Sequence, residues 1–190
     1  MNNVYIADKE FNSECFSGDY LLKGTYENCK FYDCDFTEMD LSDINFTDCE
    51  FSGCNISMVK LMKTTFRDVI FKDCKMLGLH FEDCNQFGLS FEFVNCILNH
   101  SSFYQTKIKK TIFKESKLHE VDFSDCVLTN SVFDNCDLAD ATFENSNLEH
   151  ADLRTSYNYT LDPERNQLKK TRFSLNGLPG LLNKYEIIID

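Results

Sequence analysis

Residues 132–153 read VFDNCDLADATFENSNLEHADL, and their large apolar side chains fall at Phe133, Leu138, Phe143, Leu148 and Leu153. A spacing of five fits neither the roughly 3.6-residue period of a helix nor the roughly 2-residue alternation of a strand. Two residues before each centre sits a small one, Ser131, Cys136, Ala141, Ser146 and Ala151. The other three positions of each five are mostly Asp, Asn, Glu, Ser or Thr, which places them in water.

The same period covers most of the chain. Counting by fives from Phe16 gives a large apolar residue at every step through Phe81, and a second unbroken run goes from Phe93 to Leu153. Internal repetition is therefore the primary fact about this sequence. A larger period lies over the smaller one, because Cys34, Cys54 and Cys74 are twenty apart, as are Phe31, Phe51 and Phe71, and Phe103, Phe123 and Phe143. Four fives make one turn of a square coil. Each side contributes one large and one small inward residue, and successive coils stack at the ~4.8 Å spacing of hydrogen-bonded strands. The reading is an all-β solenoid of about eight coils, with ladders of Phe and Leu beside ladders of Cys, Ser, Thr and Ala along its axis.

Nine of the ten cysteines occupy the small slot. A free thiol behaves there as a small hydrophobe. Zinc would need close pairs such as C-x2-C, which a spacing of five or twenty around a packed axis does not supply, so no metal or other cofactor is expected. The opening MNNVYIADKEFNSECF has no basic region followed by an apolar one, and no apolar run nears the ~18 residues of a membrane span. The expectation is a soluble cytoplasmic protein with free thiols.

These residues resemble the pentapeptide-repeat family, whose pattern is roughly A(D/N)LXX with Leu or Phe at the centre; CDLADATFENSNLEHADL matches it closely. The resemblance covers about residues 12 to 157, and the fold it implies is a right-handed quadrilateral β-helix. In DCNQFGLSFEF the register breaks, since Phe81 to Phe93 is twelve residues where ten keep phase. Two residues are inserted near Gln86 to Gly88, and a tolerated bulge accounts for them. The Qnr-type quinolone-resistance members of the family also join two solenoid segments through a break near a glycine, which makes Gly88 the matching position. The organisation expected is a solenoid over residues 1–157 with a break near 86–92, then a last imperfect coil and tail over 158–190.

Within NGLPGLLNKYEIIID, Pro179 suits the first turn of a helix, and Leu178, Leu181, Leu182 and Tyr185 fall at i, i+3, i+4 and i+7. So short a helix must dock on something. It serves as a cap over the solenoid's open end, whose bare strand edge would otherwise recruit further chains. The following Ile187, Ile188 and Ile189 read as a short strand with apolar area to spare, and Qnr-like members form end-to-end dimers through such a segment. A homodimer through Leu178, Leu181, Leu182, Tyr185, Ile187 and Ile189 is expected.

The net charge of −12 disfavours nucleic acid as a direct partner, since affinity there rests on Lys and Arg. The twenty-residue rule stacks Asp40 on Lys60, Asp43 on Lys63, Lys30 on Glu50, Lys114 on Asp134, Lys117 on Asp137 and Glu149 on Lys169. Glu120 and Asp140, with Asp122, Asp125 and Glu144 nearby, find no basic neighbour by that rule. They form an acidic patch that is either a solvated face or a surface for a basic groove. Resemblance to Qnr-type proteins implies the second: an acidic, DNA-mimicking rod that binds a type II topoisomerase, DNA gyrase or topoisomerase IV, and confers fluoroquinolone tolerance. The alternative is a scaffold with another partner. The four histidines fall on outward slots, no phosphate-binding loop is present and a packed axis leaves no interior pocket, so an enzyme is not expected.

Overall fold

The computed structural model describes residues 3–14, 16 and 21–188. Its short strands fall into two parallel sheets. One holds β1 (Val4–Ala7), β3 (Gly24–Glu27), β5 (Asn45–Thr47) and β7 (Thr65–Arg67); the other holds β2 (Glu10–Asn12), β4 (Lys30–Tyr32), β6 (Glu50–Ser52), β8 (Val69–Lys72), β9 (Phe91–Val94), β10 (Ile112–Lys114) and β11 (Val132–Asp134). Register follows the sequence period: Phe31 lies beside Phe51 and Phe51 beside Phe71, each twenty residues on. Seven strands make six coil-to-coil steps, and the bridges Val132↔Asp152 and Asp152↔Arg172 extend that side by two more. The other two sides are held by single bridges such as Lys75↔Ile97 and Ser102↔Asp122.

The large inward residues stack coil upon coil. Phe31 and Phe51 lie face to face with centroids 4.6 Å apart and planes 8° apart, and Phe113 on Phe133 gives 4.8 Å and 7°. Neighbouring columns meet edge to face, as Phe113 meets Phe123 at 5.8 Å and 83°. Both arrangements suit the ring quadrupole. Where the small slot holds Cys, Ser or Thr it does more than fill space. The thiols of Cys54, Cys74 and Cys136 donate to the carbonyls of Phe31, Phe51 and Phe113 at 3.3, 3.4 and 3.3 Å, and the hydroxyls of Ser146 and Ser156 donate to Phe123 and Phe133 at 2.6 Å. A buried carbonyl of one coil is thus satisfied by a side chain of the next. Cys, Ser and Thr share a slot because all three are small donors.

Corners turn through left-handed backbone. Two residues beyond most centres, φ is positive at Asp43, Lys63, Asn95, Lys110, Glu120 and Asp140, among others.

At the register break Leu89 takes the core position that the period assigns to residue 86, so Phe81 to Leu89 gains three residues and Leu89 to Phe93 loses one. Gln86, Phe87 and Gly88 loop outward, leaving Phe87 78% exposed above the Arg67 guanidinium, 5.5 Å from it. Gly88 has φ +71°, and a Cβ there would press on Arg67. The Asp68 amide, which should reach a carbonyl of the next coil, instead donates to Ser90 Oγ at 2.7 Å. The sheet of β1, β3, β5 and β7 ends at this point.

The C-terminal segment differs from expectation in extent. Helix α1 (Pro179–Leu182) is a single turn, flanked by 3-10 turns at Leu175–Gly177 and Asn183–Tyr185. Left-handed Glu186 (φ 51°) ends it. Ile187 and Ile188 form no strand, and Ile189 lies outside the described residues. The segment does dock: the Leu161 amide donates to the Gly180 carbonyl at 3.0 Å, and Lys184 Nζ lies 2.7 Å from Asp162 and 2.8 Å from Glu164. Gly177 and Gly180 sit so close to Tyr159 that a Cβ on either would collide with it. Among the described residues no helix is long and apolar enough to cross a membrane.

Candidate functional site

Coiling puts the acidic positions on one flank of the rod. Glu120 and Asp140 occupy equivalent corners of adjacent coils, joined where the Glu120 amide donates to the Ala139 carbonyl at 2.9 Å. Asp122 lies on the next side, bridged to Thr142, with one carboxylate oxygen accepting the Ser124 amide at 2.8 Å. Asp125 turns the following corner, and its amide donates to the Glu144 carbonyl at 2.7 Å.

The patch is less bare than the twenty-residue rule implies. Arg165 Nη1 binds both Glu144 oxygens at 2.8 and 3.1 Å, because a long side chain at a spacing of 21 reaches as well as one at 20. His100 Nδ1 lies 3.3 Å from Glu120, and His119 Nε2 lies 2.8 Å from Asp137. Burial alone would push the Asp137 carboxyl up, but hydrogen bonds from His119 and Asn158 outweigh it and hold it below the usual range. The contacts of Glu144 and Glu120 are solvent-exposed and screened by salt, so they reduce the local field only modestly.

The ion pairs expected from stacking close elsewhere. Asp40 does bridge Lys60 and Lys117 bridges Asp137 through the backbone, yet the ion pairs formed include Lys23–Asp43 at 3.6 Å and Lys72–Glu50 at 3.0 Å. Neither Lys30–Glu50 nor Asp43–Lys63 is among them. Backbone stacking fixes which Cα atoms are neighbours, while a flexible lysine chooses among several exposed carboxylates at little cost.

Charge alternates along the axis. Residues 1–59 carry twelve acidic and three basic residues (−9), 60–118 six and ten (+4), 119–153 nine and none (−9), and 154–190 four and six (+2), which sum to the −12 of the chain.

At the C-terminal end, Leu178, Tyr185 and Ile187 are exposed, Leu181 and Leu182 are half-buried, and Leu181 packs on the core. Leu175, 84% exposed, and Ile188, 89% exposed, extend this apolar surface. Leu175 escaped the sequence reading because that reading began the helix at Leu178 beside Pro179, whereas Leu175 stands one turn earlier, in the preceding 3-10 turn. The described cysteines are buried free thiols, and burial pushes Cys49, Cys126 and Cys136 up to about 12, leaving them without nucleophilic character near neutrality. No group of His, Cys, Asp and Glu among the described residues could hold a metal.

A family model described as a pentapeptide repeat region matches residues 25–94 and 79–153. Among solved structures, full-length QnrB1 aligns with a TM-score of 0.64 at 17% identity, covering 97% of this chain and 100% of that one. A trypsin-treated QnrB1 variant aligns with a TM-score of 0.63 at 18% identity, covering 100% of both chains. Both are described as a plasmid-mediated fluoroquinolone resistance protein. At that identity the likeness is one of fold. A search of curated proteins gave no match. The repeat, the coil geometry and the family model agree: this chain belongs to the pentapeptide-repeat family.

Proposed function

We propose that this protein is a non-enzymatic, DNA-mimicking rod that binds a type II topoisomerase, DNA gyrase or topoisomerase IV, and gives its host tolerance to fluoroquinolones. The observation that carries this reading is the −9 segment of residues 119–153, which holds no Lys or Arg and presents Glu120, Asp122, Asp125, Asp140 and Glu144 along one side and its two corners on adjacent coils. Duplex DNA offers a charge every ~1.7 Å of its axis, and a rigid column of carboxylates imitates that to a basic channel. A fold shared with QnrB1 over its whole length supports the assignment. Pairing of two copies through Leu178, Leu181, Leu182, Tyr185 and Ile187 doubles the rod and covers apolar area that one chain leaves in water.

Supercoiling by purified gyrase, with and without ciprofloxacin, tests the proposal. Added protein should restore supercoiling in the presence of the drug, and the Asp122→Lys/Asp140→Lys double variant should lose that effect while folding normally. No effect of the parent protein at micromolar concentration refutes it. A second reading, a scaffold for some other partner, is favoured by the +4 middle segment, which interrupts the acidic column. Recovery from cells of a different protein in place of any topoisomerase subunit would select it.

A further inference from the structure

The middle of the rod inverts the charge of its flanks on one particular face. On the sheet side, Lys72, Val94 and Lys114 stand beside one another on successive coils, and around the corner Lys75, Ile97 and Lys117 do the same. Next to the first column runs another, Ile70, Glu92, Ile112 and Val132. Lys109 and Lys110 border its far edge, where they line a groove of about 420 Å³ with Ile70, Ser90 and Ile112. Ile97 and Ile112 are 36% and 37% exposed, and Val94 and Val132 are partly so.

These lysines are not spent inside the molecule. Lys72 pairs with Glu50 at 3.0 Å, but among the described residues Lys75, Lys109, Lys110, Lys114 and Lys117 make no ion pair. Four carboxylates share the face: Asp68 lines the groove and accepts from Ser90 Oγ at 3.0 Å, Glu92 interrupts the aliphatic column, Asp73 is held by the Asn95 amide at 2.6 Å, and Glu115 turns a corner. Asp134 and Asp137 follow Lys114 and Lys117 on the next coil and bound the face at that end. Within those bounds the lysines leave an excess of positive charge around exposed aliphatic side chains.

We propose that this face docks an acidic amphipathic helix of a partner protein. Lysines two coils apart are separated by ~9.6 Å, with an aliphatic residue midway at ~4.8 Å. A helix laid along the rod presents residues i and i+7 about 10.5 Å apart, with i+3 and i+4 between them at ~4.5–6 Å. Acidic side chains at i and i+7 and apolar ones at i+3 and i+4 therefore match the Lys–aliphatic–Lys columns in order and in spacing. An extended strand offers same-face residues every ~6.6 Å and falls out of step. A long nucleic acid would meet the −9 segments on either side and has no apolar group to set against Ile97 and Ile112.

The test uses a fluorescein-labelled helical peptide of about three heptads with Glu at i and i+7 and Leu at i+3 and i+4, and a mirror peptide with Lys for Glu. Anisotropy is read against the full-length protein at low salt, with no topoisomerase present, so the result is independent of the function proposed above. The acidic peptide should bind saturably and the mirror should not. Lys114→Glu/Lys117→Glu and, separately, Ile112→Glu should each weaken binding about tenfold with the circular dichroism spectrum unchanged. Equal binding of both peptides, absence of binding, or variants that bind like the parent would overturn the proposal. Displacement of the peptide by a short DNA duplex would also overturn it and assign the face to nucleic acid.

Discussion

Replacing Phe113 with Ala removes the sixth of seven stacked rings in the column that runs from Phe11 to Phe133. Phe113 is fully buried, stacked between Phe93 at 5.2 Å and Phe133 at 4.8 Å, and met edge-on by Phe103 at 5.9 Å and Phe123 at 5.8 Å. A buried Phe→Ala change costs about 3–5 kcal/mol, and aromatic pairs contribute about 0.5–1.5 kcal/mol each beyond their area. With four ring partners and coils above and below to hold the cavity open, the expected loss is near the top of that range, about 5 kcal/mol. Domain stabilities are only about 5–15 kcal/mol, and in a solenoid the loss falls on one coil-to-coil interface. Urea unfolding followed by far-ultraviolet circular dichroism should therefore change from one transition to two as the halves on either side of residue 113 uncouple. Phe113→Leu, which places in this column the residue that Leu153 already supplies, should keep a single transition and lose roughly 1 kcal/mol. An Ala variant that unfolds in one step with under about 1 kcal/mol lost would refute the stacking account.

Two further outcomes are expected. Hydrogen bonds from Lys184 hold the Asp162 and Glu164 carboxyls below their usual range, so the docking they contribute is present above about pH 4 and is lost as pH falls through their lowered values. Tyrosine fluorescence, undisturbed in a chain without Trp, should report release of the C-terminal turn only at acid pH; release near pH 6 would contradict this. The nine described thiols should resist a thiol reagent at pH 8 and all react in urea, since every one is buried out of the reagent's reach, and burial also raises Cys34 to about 11 and Cys49, Cys126 and Cys136 to about 12; prompt labelling of any of them in the folded protein would count against the buried slot.

The coil was legible because its period is written in bulk: a Phe or Leu at every fifth position can be satisfied only by an axis that every side shares. The chemistry of the small slot was half legible. Size selects Cys, Ser and Thr alike, but the carbonyls they cap, such as Phe123 by Ser146 and Phe113 by Cys136, belong to another coil and become visible only once the coils are stacked. Leu89 hid in the register break because a bulge obeys no period; the core recruits whichever large residue the detour delivers. Surface pairing was the least legible. Arg165 reaches Glu144 and Lys72 reaches Glu50 at spacings of 21 and 22, offsets set by side-chain length rather than by the backbone. In the tail Pro179 and the leucine spacing made the helical turn legible, while the strand expected at the isoleucines is not formed at Ile187 or Ile188.

The left-handed corners carry a consequence for how such a molecule can change over generations. Asp, Asn, Lys, Glu, Gln, His and Met all stand at them. The conformational penalty there, roughly 1–2 kcal/mol against glycine, is partly offset because a side chain also restricts the unfolded chain. Exchange among these residues therefore leaves folding nearly indifferent while it inverts or erases charge along the whole flank. Natural selection can repaint the outside of this scaffold one vertex at a time, with the hydrocarbon pillar inside never asked to adjust.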